Sequence, residues 1–382
     1  MIDLDGPIRP YAWGSRSFLA QLQGRPVPSA TPEAELWLGA HPDAPAQASG
    51  TPLTDLIAAD PRGVLGDDVL ARFGQRLPYL LKLLAADAPL SIQVHPDAEQ
   101  AREGFARQTA GMVRNYTDPY PKPELLVAIT PFEALCGFRD PDRTADHLAG
   151  LGVPALDPVV AALRDRAASV AERLRTALTR LLEWPVSERA ALVDAVVAAG
   201  DPLAVRLAQQ YPHDIGVVVA LLLNHVRLSP GEAIFMPAGN VHAYLGGAGV
   251  EIMGASDNVL RAGLTSKHMD PAELMRIVHY EVLTEPTFPG TPLGPGLTRW
   301  SPPVGEFQLV RAAPEPGAQL TLPGDGPRIV VCLRGEARLR SGTSERVLAA
   351  GRAVFVTAGE PAVEVSGATE VYQASPGAAV SR

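Results

Sequence analysis

Residues 228–239 read LSPGEAIFMPAG, and residues 348–359 read LAAGRAVFVTAG. The two stretches are identical at six of twelve positions, at an offset of 120 residues. Each contains a Gly-marked turn, a short apolar strand and a second turn, a unit that recurs in small antiparallel barrels and jelly rolls. The repeat therefore predicts a mainly β protein with two jelly-roll barrels. The two copies differ in a residue that follows them. His242 comes after the first copy, and Ala362, which cannot bind a metal or a proton, stands at the corresponding position after the second copy.

Outside the repeat, the character of the sequence changes twice. Residues 1–140 contain strand-like runs, whereas the following stretch carries apolar side chains at three- and four-residue steps, which is typical of amphipathic helices. Strand patterns then return, and a Pro- and Gly-rich linker runs from about 285 to 295. We therefore predict three domains: a discontinuous catalytic barrel of residues 1–140 and 226–285, a helical insert of residues 141–225, and a C-terminal barrel of residues 286–382 without a metal site.

Cap residues indicate boundaries within the helical stretch. We expect Ser187 to cap a helix that ends at Gly200, and Asp201-Pro202 to begin the next one. We predict a further, more buried helix over residues 214–224. After the stretch, Asp270-Pro-Ala-Glu273 predicts a short helix with an acidic cap and a capping-box glutamate.

The composition excludes several classes of protein. The 382 residues carry a net charge of −9, which argues against binding to nucleic acids or anionic membranes. No apolar run approaches the roughly 20 residues of a membrane-spanning helix, and the N-terminal residues lack the pattern of a signal peptide. Cys136 and Cys332 lie in apolar strand-like runs, so we expect buried free thiols in a reducing compartment, the cytoplasm.

Four side chains form a candidate metal site. Gln93 and His95 are two positions apart in a strand-like run, so they point to the same side, roughly 6–7 Å apart. His242 follows the turn that ends the first repeat copy, and Glu124 begins another predicted strand. Two imidazoles, one carboxylate and one amide oxygen suit zinc with a position left open. Each residue alone would have an ordinary structural explanation, and the prediction depends on the set.

Lysine is rare in this chain. Of the 33 basic residues, only Lys82, Lys122 and Lys267 are lysine, and the other 30 are arginine. A lysine retained in such a sequence is a candidate for a role that the bulkier, permanently charged guanidinium cannot fill. All three lie within the motifs described next.

Several motifs follow one another in a fixed order. They are YAWG (11–14), AELWLGAHP (34–42), LPYLLK (77–82), SIQVHPD (91–97), KPE (122–124), GNVHAY (239–244) and SDNVLRAGLT (256–265). Together they resemble the successive signatures of the type I mannose-6-phosphate isomerase family, over about residues 10–145 and 226–280. The helical stretch and the C-terminal barrel resemble that family in architecture, but they contain few of its sequence motifs.

The resemblance implies a cupin fold and one Zn²⁺ per chain, bound by Gln93, His95, Glu124 and His242. It implies the interconversion of mannose 6-phosphate and fructose 6-phosphate through an enediol, which feeds mannose and GDP-mannose metabolism. It also implies that Arg261 is the active-site arginine.

Such a reaction needs a general base and a group that stabilises an oxyanion. We predict Lys122 and Arg261 near the reacting oxygens, with Glu251 or Asp257 as base or proton relay and Tyr244 on the same side as His242. The alternatives are that Asp257 braces a turn and that Glu251 is an ion-pair partner of another site residue. We expect the phosphate dianion, a partner suited to point charges, to bind Ser91, Lys267 and Lys82.

The chain departs from the family pattern at two places. Pro121 stands where many bacterial members have a histidine directly before Lys-Pro-Glu, so a scheme that requires that histidine cannot apply here. Thr265-Ser-Lys267 replaces the usual Thr-Pro-Lys and keeps the lysine.

Two other functions remain as alternatives. Two histidines and a glutamate also suit the Fe(II) site of a cupin dioxygenase, although the amide of Gln93 and the basic cluster argue against it. A catalytically silent, sugar-binding cupin is the second alternative, against which the intact ligand set and Arg261 argue. The expected partner is a small sugar phosphate, and we expect a monomer.

Overall fold

Antiparallel β-sheet dominates the computed structural model of the chain, which describes residues 1–108 and 114–379. The strands, in chain order, are β1 (Ile2–Asp5), β2 (Ile8–Arg9), β3 (Glu35–Gly39), β4 (Gln47–Ala48), β5 (Thr51–Pro52), β6 (Tyr79–Ala86), β7 (Ile92–Val94), β8 (Glu124–Ala128), β9 (Phe132–Phe138), β10 (Leu223–Leu228), β11 (Ala233–Met236), β12 (His242–Gly254), β13 (Leu260–Gly263), β14 (Thr291–Gly294), β15 (Leu297–Trp300), β16 (Gln308–Ala312), β17 (Gln319–Leu322), β18 (Arg328–Ser341), β19 (Ser344–Ala349), β20 (Ala353–Val356), β21 (Val363–Ser366) and β22 (Thr369–Ser375).

The helices lie mainly in one stretch of the chain. They are α1 (Phe18–Leu22), α2 (Leu53–Ala59), α3 (Pro61–Phe73), α4 (Ala98–Arg107), α5 (Pro141–Gly150), α6 (Asp157–Arg164), α7 (Val170–Leu182), α8 (Val186–Ala198), α9 (Pro202–Gln210), α10 (Gly216–Val219) and α11 (Pro271–Ile277), with 3₁₀ turns at Pro154–Leu156 and Ala220–Leu222.

The first sheet has ten strands in the order β10-β9-β12-β6-β3-β2, and β7, β8, β11 and β13 branch from it. Its central strand is β12, which pairs along one edge with β6 and β7 and along the other with β8 and β9. This arrangement brings Glu251 opposite Lys82, and His242 opposite Gln93. The predicted site residues therefore meet on strands that are far apart in sequence.

Side-chain alternation decides which residues face the inside of this first barrel. Leu81 and Leu83 of β6 pack into an apolar core that the two sheets share, so Lys82 between them faces the opposite side. On β12, Val250 packs into the same core, and Glu251 faces the side of Lys82. The period of two thus places two charged side chains side by side within the barrel.

The second sheet has twelve strands, in the order β14-β15-β16-β22-β18-β20-β1-β4-β5 with β17, β19 and β21 branching from it. The repeat found in the sequence recurs here, because β11 and β20 are both four-residue strands at the 120-residue offset. Each follows a glycine with positive φ, Gly231 at 91° and Gly351 at 76°. Strand β1 pairs with β20, so the beginning of the chain contributes to the sheet built mainly by its last strands.

The helical stretch agrees with the prediction in part. Asp201 caps α9 by accepting a hydrogen bond from the Ala204 N–H, and Asp270 caps α11 in the same way, as predicted. The predicted capping box at α11 is wrong, because the Glu273 carboxylate accepts from the Tyr116 hydroxyl instead. The prediction for Ser187 was wrong, because α8 begins directly after Pro185 and Ser187 lies in its first turn. The helix predicted over residues 214–224 is shorter, since the chain leaves it at Leu222 and Leu223 begins a strand that pairs with β9.

The two cysteines have the surroundings that the sequence predicts. Cys136 and Cys332 are both buried and form no disulfide. No helix within residues 1–108 and 114–379 is long and apolar enough to cross a membrane.

Candidate metal centre and active site

Three buried side chains converge inside the first barrel. His95 follows the last residue of β7, Glu124 is the first residue of β8, and His242 is the first residue of β12. The Glu124 Oε2 atom lies 3.1 Å from His242 Nε2, and Oε1 lies 3.3 Å from His95 Nε2. Their candidate ligand atoms all lie within 4.8 Å of one another, so one cation could contact all three.

Backbone carbonyls orient both imidazoles. The His95 Nδ1 atom lies 2.7 Å from the Asn258 carbonyl oxygen, and His242 Nδ1 lies 2.9 Å from that of Asn240. Donation from each Nδ1–H fixes the tautomer in which Nε2 carries the free lone pair. Although Glu124 is near, its position does not give His95 Nε2 a hydrogen bond, so this buried nitrogen has no partner among the described residues. A buried acceptor nitrogen without a hydrogen-bond donor is available to bind a metal ion.

The protonation states of these groups also suit a cation. Burial, assisted by the positive charge of Lys122, lowers the pKa of His95 to about 4, so the imidazole is neutral at physiological pH. Burial alone would raise the pKa of Glu124, but Lys122, His95 and His242 outweigh it and hold that pKa well below its usual range. A neutral imidazole at His95 and an ionised carboxylate at Glu124 are protonation states that metal binding requires.

Gln93 completes the predicted set. It lies opposite His242 on β12 and opposite Arg261 on β13, because β7 pairs with both strands. Its side chain lines a small cavity of about 50 Å³ together with Glu124 and His242. All four predicted metal ligands are thus neighbours, together with the predicted active-site arginine.

A buried ionic network adjoins the three possible ligands. Lys122 Nζ lies 2.9 Å from Glu124 Oε1. Lys82 Nζ lies 3.1 Å from Glu251 Oε2 and 3.5 Å from Glu35 Oε1, and all three of these side chains are buried. Sequence reasoning missed Glu35 as a site residue, although it lies within the quoted motif of residues 34–42. The sequence around Glu35 did indicate such a role, because a glutamate between apolar residues of a strand is buried and needs a partner for its charge.

Hydrogen bonds tune the two carboxylates beside Lys82. The Tyr244 hydroxyl donates to Glu251 Oε1 at 2.7 Å, and the Trp37 indole N–H donates to Glu35 Oε2 at 2.7 Å. Burial raises the pKa of Glu251, and the opposing pull of Lys82 does not restore it. Burial also raises the pKa of Tyr244 well above its usual value. A carboxyl group with a raised pKa, next to a neutral hydroxyl, can accept and return a proton.

The structure separates the two candidate bases. Asp257 lies outside the cavity of Glu251, with its Oδ2 atom 3.3 Å from His41 Nε2, in a pocket of about 210 Å³. Its backbone N–H donates to Asp118 Oδ2. His41, Asp43 and Asp257 form a second group of side chains with metal-ligating atoms close together. Glu251, rather than Asp257, adjoins the predicted metal ligands.

The remaining predicted residues lie in different surroundings. Arg261 is half-buried in β13 and forms no ion pair with any residue that the structure describes. Ser91 is half-buried just before β7, and Lys267 is exposed in the turn after β13. Lys82 does not fit its predicted role as a phosphate ligand, because it is buried and two carboxylates already compensate its charge.

Comparison with known proteins agrees with this geometry. Residues 1–141 match the family model of the phosphomannose isomerase type I catalytic domain. The chain is 37% identical over 391 residues to mannose-6-phosphate isomerase of Escherichia coli (strain K12), covering 96% of this chain and 97% of that protein. It is 32% identical over 416 residues to mannose-6-phosphate isomerase of Schizosaccharomyces pombe, covering 98% and 99%.

Solved structures give the same result. A zinc-bound mannose 6-phosphate isomerase is similar with a TM-score of 0.89 at 34% identity, covering 99% of both chains. A lysine-to-alanine mutant of phosphomannose isomerase from Salmonella typhimurium is similar with a TM-score of 0.91 at 35% identity, covering 99% of this chain and 100% of that one. These neighbours confirm the predicted mainly β, cupin-type fold. The chain belongs to the type I phosphomannose isomerase family.

Proposed function

We propose that this protein is a zinc-dependent mannose-6-phosphate isomerase, which interconverts mannose 6-phosphate and fructose 6-phosphate. The observation that carries the proposal is the buried His95–Glu124–His242 group, next to a carboxyl group of raised pKa, Glu251. Relatives of that name, similar over almost the full length of both proteins, support the substrate.

The donor set fits zinc. The ion would be bound by Gln93, His95, Glu124 and His242. The Nε2 atom of His95 supports this assignment, because it is buried and has no hydrogen-bond partner among the described residues. When bound, zinc would act as a Lewis acid or template toward a substrate oxygen. The relatives' structures that are described as zinc-bound support this choice of metal.

This chain's own residues would move the proton. The open-chain aldose loses a proton from C2 and gains one at C1, and the C1 carbonyl becomes a hydroxyl while the C2 hydroxyl becomes a carbonyl. We assign the base to Glu251, because its pKa is raised and the Tyr244 hydroxyl donates to it. Arg261, which no described carboxylate neutralises, would stabilise the negative charge of the enediolate, and Lys122 would act beside it. Asp257 would not be the base, since it pairs with His41 in a separate pocket.

The phosphate would bind outside this buried network. Lys267 is exposed and Ser91 is half-buried, so both are accessible to a dianion. Lys82 would instead hold Glu35 and Glu251 in place.

We also propose a domain organisation and a cellular setting. The catalytic domain would comprise residues 1–140 and 226–285, the helical insert 141–225 and the C-terminal domain 286–382. The protein would act as a monomer, since its exposed large apolar residues are few and scattered. The cytoplasm suits its two buried free thiols.

A coupled assay with mannose 6-phosphate tests the function. Zinc-loaded protein should turn the sugar over, and Arg261→Ala should keep its zinc while losing most of the activity. No turnover by the zinc-loaded protein would favour a silent sugar-binding cupin. Stoichiometric iron in protein purified without added metal, together with oxygen uptake, would favour a dioxygenase.

A further inference from the structure

A short segment of the helical stretch, residues 211–216, contacts one end of the strand pair that carries Gln93 and Arg261. The Tyr211 hydroxyl donates to the Pro89 carbonyl at 2.8 Å, just before β7. Asp214 contacts the turn that follows β13. Since β7 and β13 are antiparallel, the beginning of β7 lies beside the end of β13, and the segment is attached at that end of the pair in which Gln93 lies opposite Arg261.

The carboxylate of Asp214 accepts three backbone hydrogen bonds. Its Oδ1 atom accepts from the Gly216 N–H at 2.7 Å and from the Leu264 N–H at 3.0 Å, and its Oδ2 atom accepts from the Thr265 N–H at 3.0 Å. One side chain therefore joins the start of α10 to two successive residues after β13. Hydrogen bonds to an ionised acceptor are stronger than those between neutral groups.

The backbone around these bonds is unusually close and strained. A Cβ atom on Gly216 would lie 2.4 Å from the Leu264 nitrogen, and one on Gly263 would lie 2.3 Å from the Gly216 Cα atom. Leu264 has a φ of 53°, a left-handed conformation that costs a branched side chain free energy. Such a turn persists only where its surroundings hold it, and Asp214 supplies acceptors for both of its N–H groups at this point.

We propose that Asp214 is a positioning residue for the active site, which holds the Leu264–Thr265 turn and thereby fixes Arg261 and Lys267. The proposal rests on the proposed isomerase function. The ladder between β7 and β13 shifts register between Arg261 and Gly263, so β13 alone does not set the direction in which the chain leaves the sheet. Asp214 sets that direction from the helical side, and the insert thus takes part in the geometry of the site.

Two variants and a matched control test the proposal. Asp214→Ala removes all three acceptor contacts, and Asp214→Asn keeps one acceptor oxygen. The control is Asp201→Asn, since Asp201 is also a helix cap of the same stretch; it accepts from the Ala204 N–H at 2.8 Å and pairs with His147, both outside β13. All are compared with the wild type at equal zinc content and well below their melting temperatures.

We expect Asp214→Ala to lower kcat/KM for mannose 6-phosphate by about 10- to 100-fold, the effect of a misplaced site residue, and Asp214→Asn to be intermediate. The KM should rise as well as kcat fall, because Lys267 moves with the turn. A variant that merely contained less folded enzyme would lose kcat at an unchanged KM. Hydrogen exchange at the Leu264 and Thr265 amides should accelerate in both variants and stay as in the wild type in the control.

Two results would overturn the proposal. One is a kcat/KM of Asp214→Ala within about two-fold of the Asp201→Asn control, well below the loss expected for misplacement. The other is unchanged hydrogen exchange at Leu264 and Thr265. If the wild type itself does not turn over mannose 6-phosphate, the proposed function fails, while the exchange measurement still decides whether Asp214 holds the turn.

Discussion

Replacing Lys82 by Met would remove the cation that lies between two buried carboxylates, Glu35 and Glu251. Lys82, Glu35 and Glu251 are 6%, 6% and 2% exposed, so water cannot take over the role of the lost ammonium group. The methionine side chain approximates the volume of the lysine stem. We therefore expect a large loss of stability with little change in shape.

The magnitude follows from the two contacts. At an effective dielectric constant of about 20, unit charges 3.1 Å and 3.5 Å apart attract each other by about 5 kcal/mol per pair. Desolvation cancels most of this in the intact network, but removing one partner leaves the others uncompensated and costs about 3–5 kcal/mol. Lys82→Met combined with Glu251→Gln should recover part of that loss, because one of the two stranded charges is then gone.

Urea unfolding of the zinc-loaded protein, followed by circular dichroism, measures these free energies. Arg62→Met is the matched control, because Arg62 and Asp67 form an ion pair with side chains 78% and 69% exposed. Surface pairs of this kind contribute little to stability, because water screens both charges. A loss for Lys82→Met no larger than that of the control would refute the reasoning, as would a double variant less stable than Lys82→Met alone.

The same variant should acquire a pH dependence with a definite sign. Without Lys82, the pKa of Glu251 in the folded state rises further above its unfolded value, so the folded state binds more protons than the unfolded state. The variant then loses stability relative to the wild type as pH rises from the unfolded pKa of about 4.3 toward the raised folded value. A deficit that instead shrinks with rising pH would contradict the account.

Three further outcomes are expected. His242→Ala should lower the zinc content measured by mass spectrometry, and an unchanged stoichiometry would remove His242 from the ligand set. The kcat/KM of the wild type should fall as pH falls through the raised pKa of Glu251, because the protonated carboxyl group cannot accept a proton, and the residual activity of Glu251→Gln should lack this decline. Asp97→Ala, which removes the capping box of α4, should cost about 1 kcal/mol of unfolding free energy in urea, and no measurable cost would mean that the cap is not stabilising.

The sequence made the barrels and the possible ligands predictable for a physical reason. Strand periodicity is local, so two residues that share a face, such as Gln93 and His95, are visible without a structure. The repeat likewise identified β11 and β20, because turn glycines and apolar strands leave a strong pattern. Helix caps were predictable where the side chain itself accepts the hydrogen bond, as at Asp201, and not where proline sets the helix start, as at Pro185.

What the sequence did not reveal depends on pairing between distant strands. The role of Lys82 follows from its position opposite Glu251 on β12 and next to Glu35, which no local pattern encodes. Asn258 is a similar case, because its backbone carbonyl orients His95, a contact that side-chain motifs do not record. Asp257 and Glu251 lie in different cavities because of the path that the chain takes between β12 and β13, and the sequence does not reveal this path.

The pairing of β1 with β20 has a consequence for synthesis on the ribosome. Strand β1 leaves the exit tunnel long before its partner β20 is translated. Until then its backbone N–H and C=O groups on that edge lack their partners, and Leu4, which belongs to the core shared by the two sheets, remains uncovered. The nascent chain therefore presents an open strand edge until β20 has been translated, a state that favours chaperone binding and makes expression of a segment without β20 prone to aggregation.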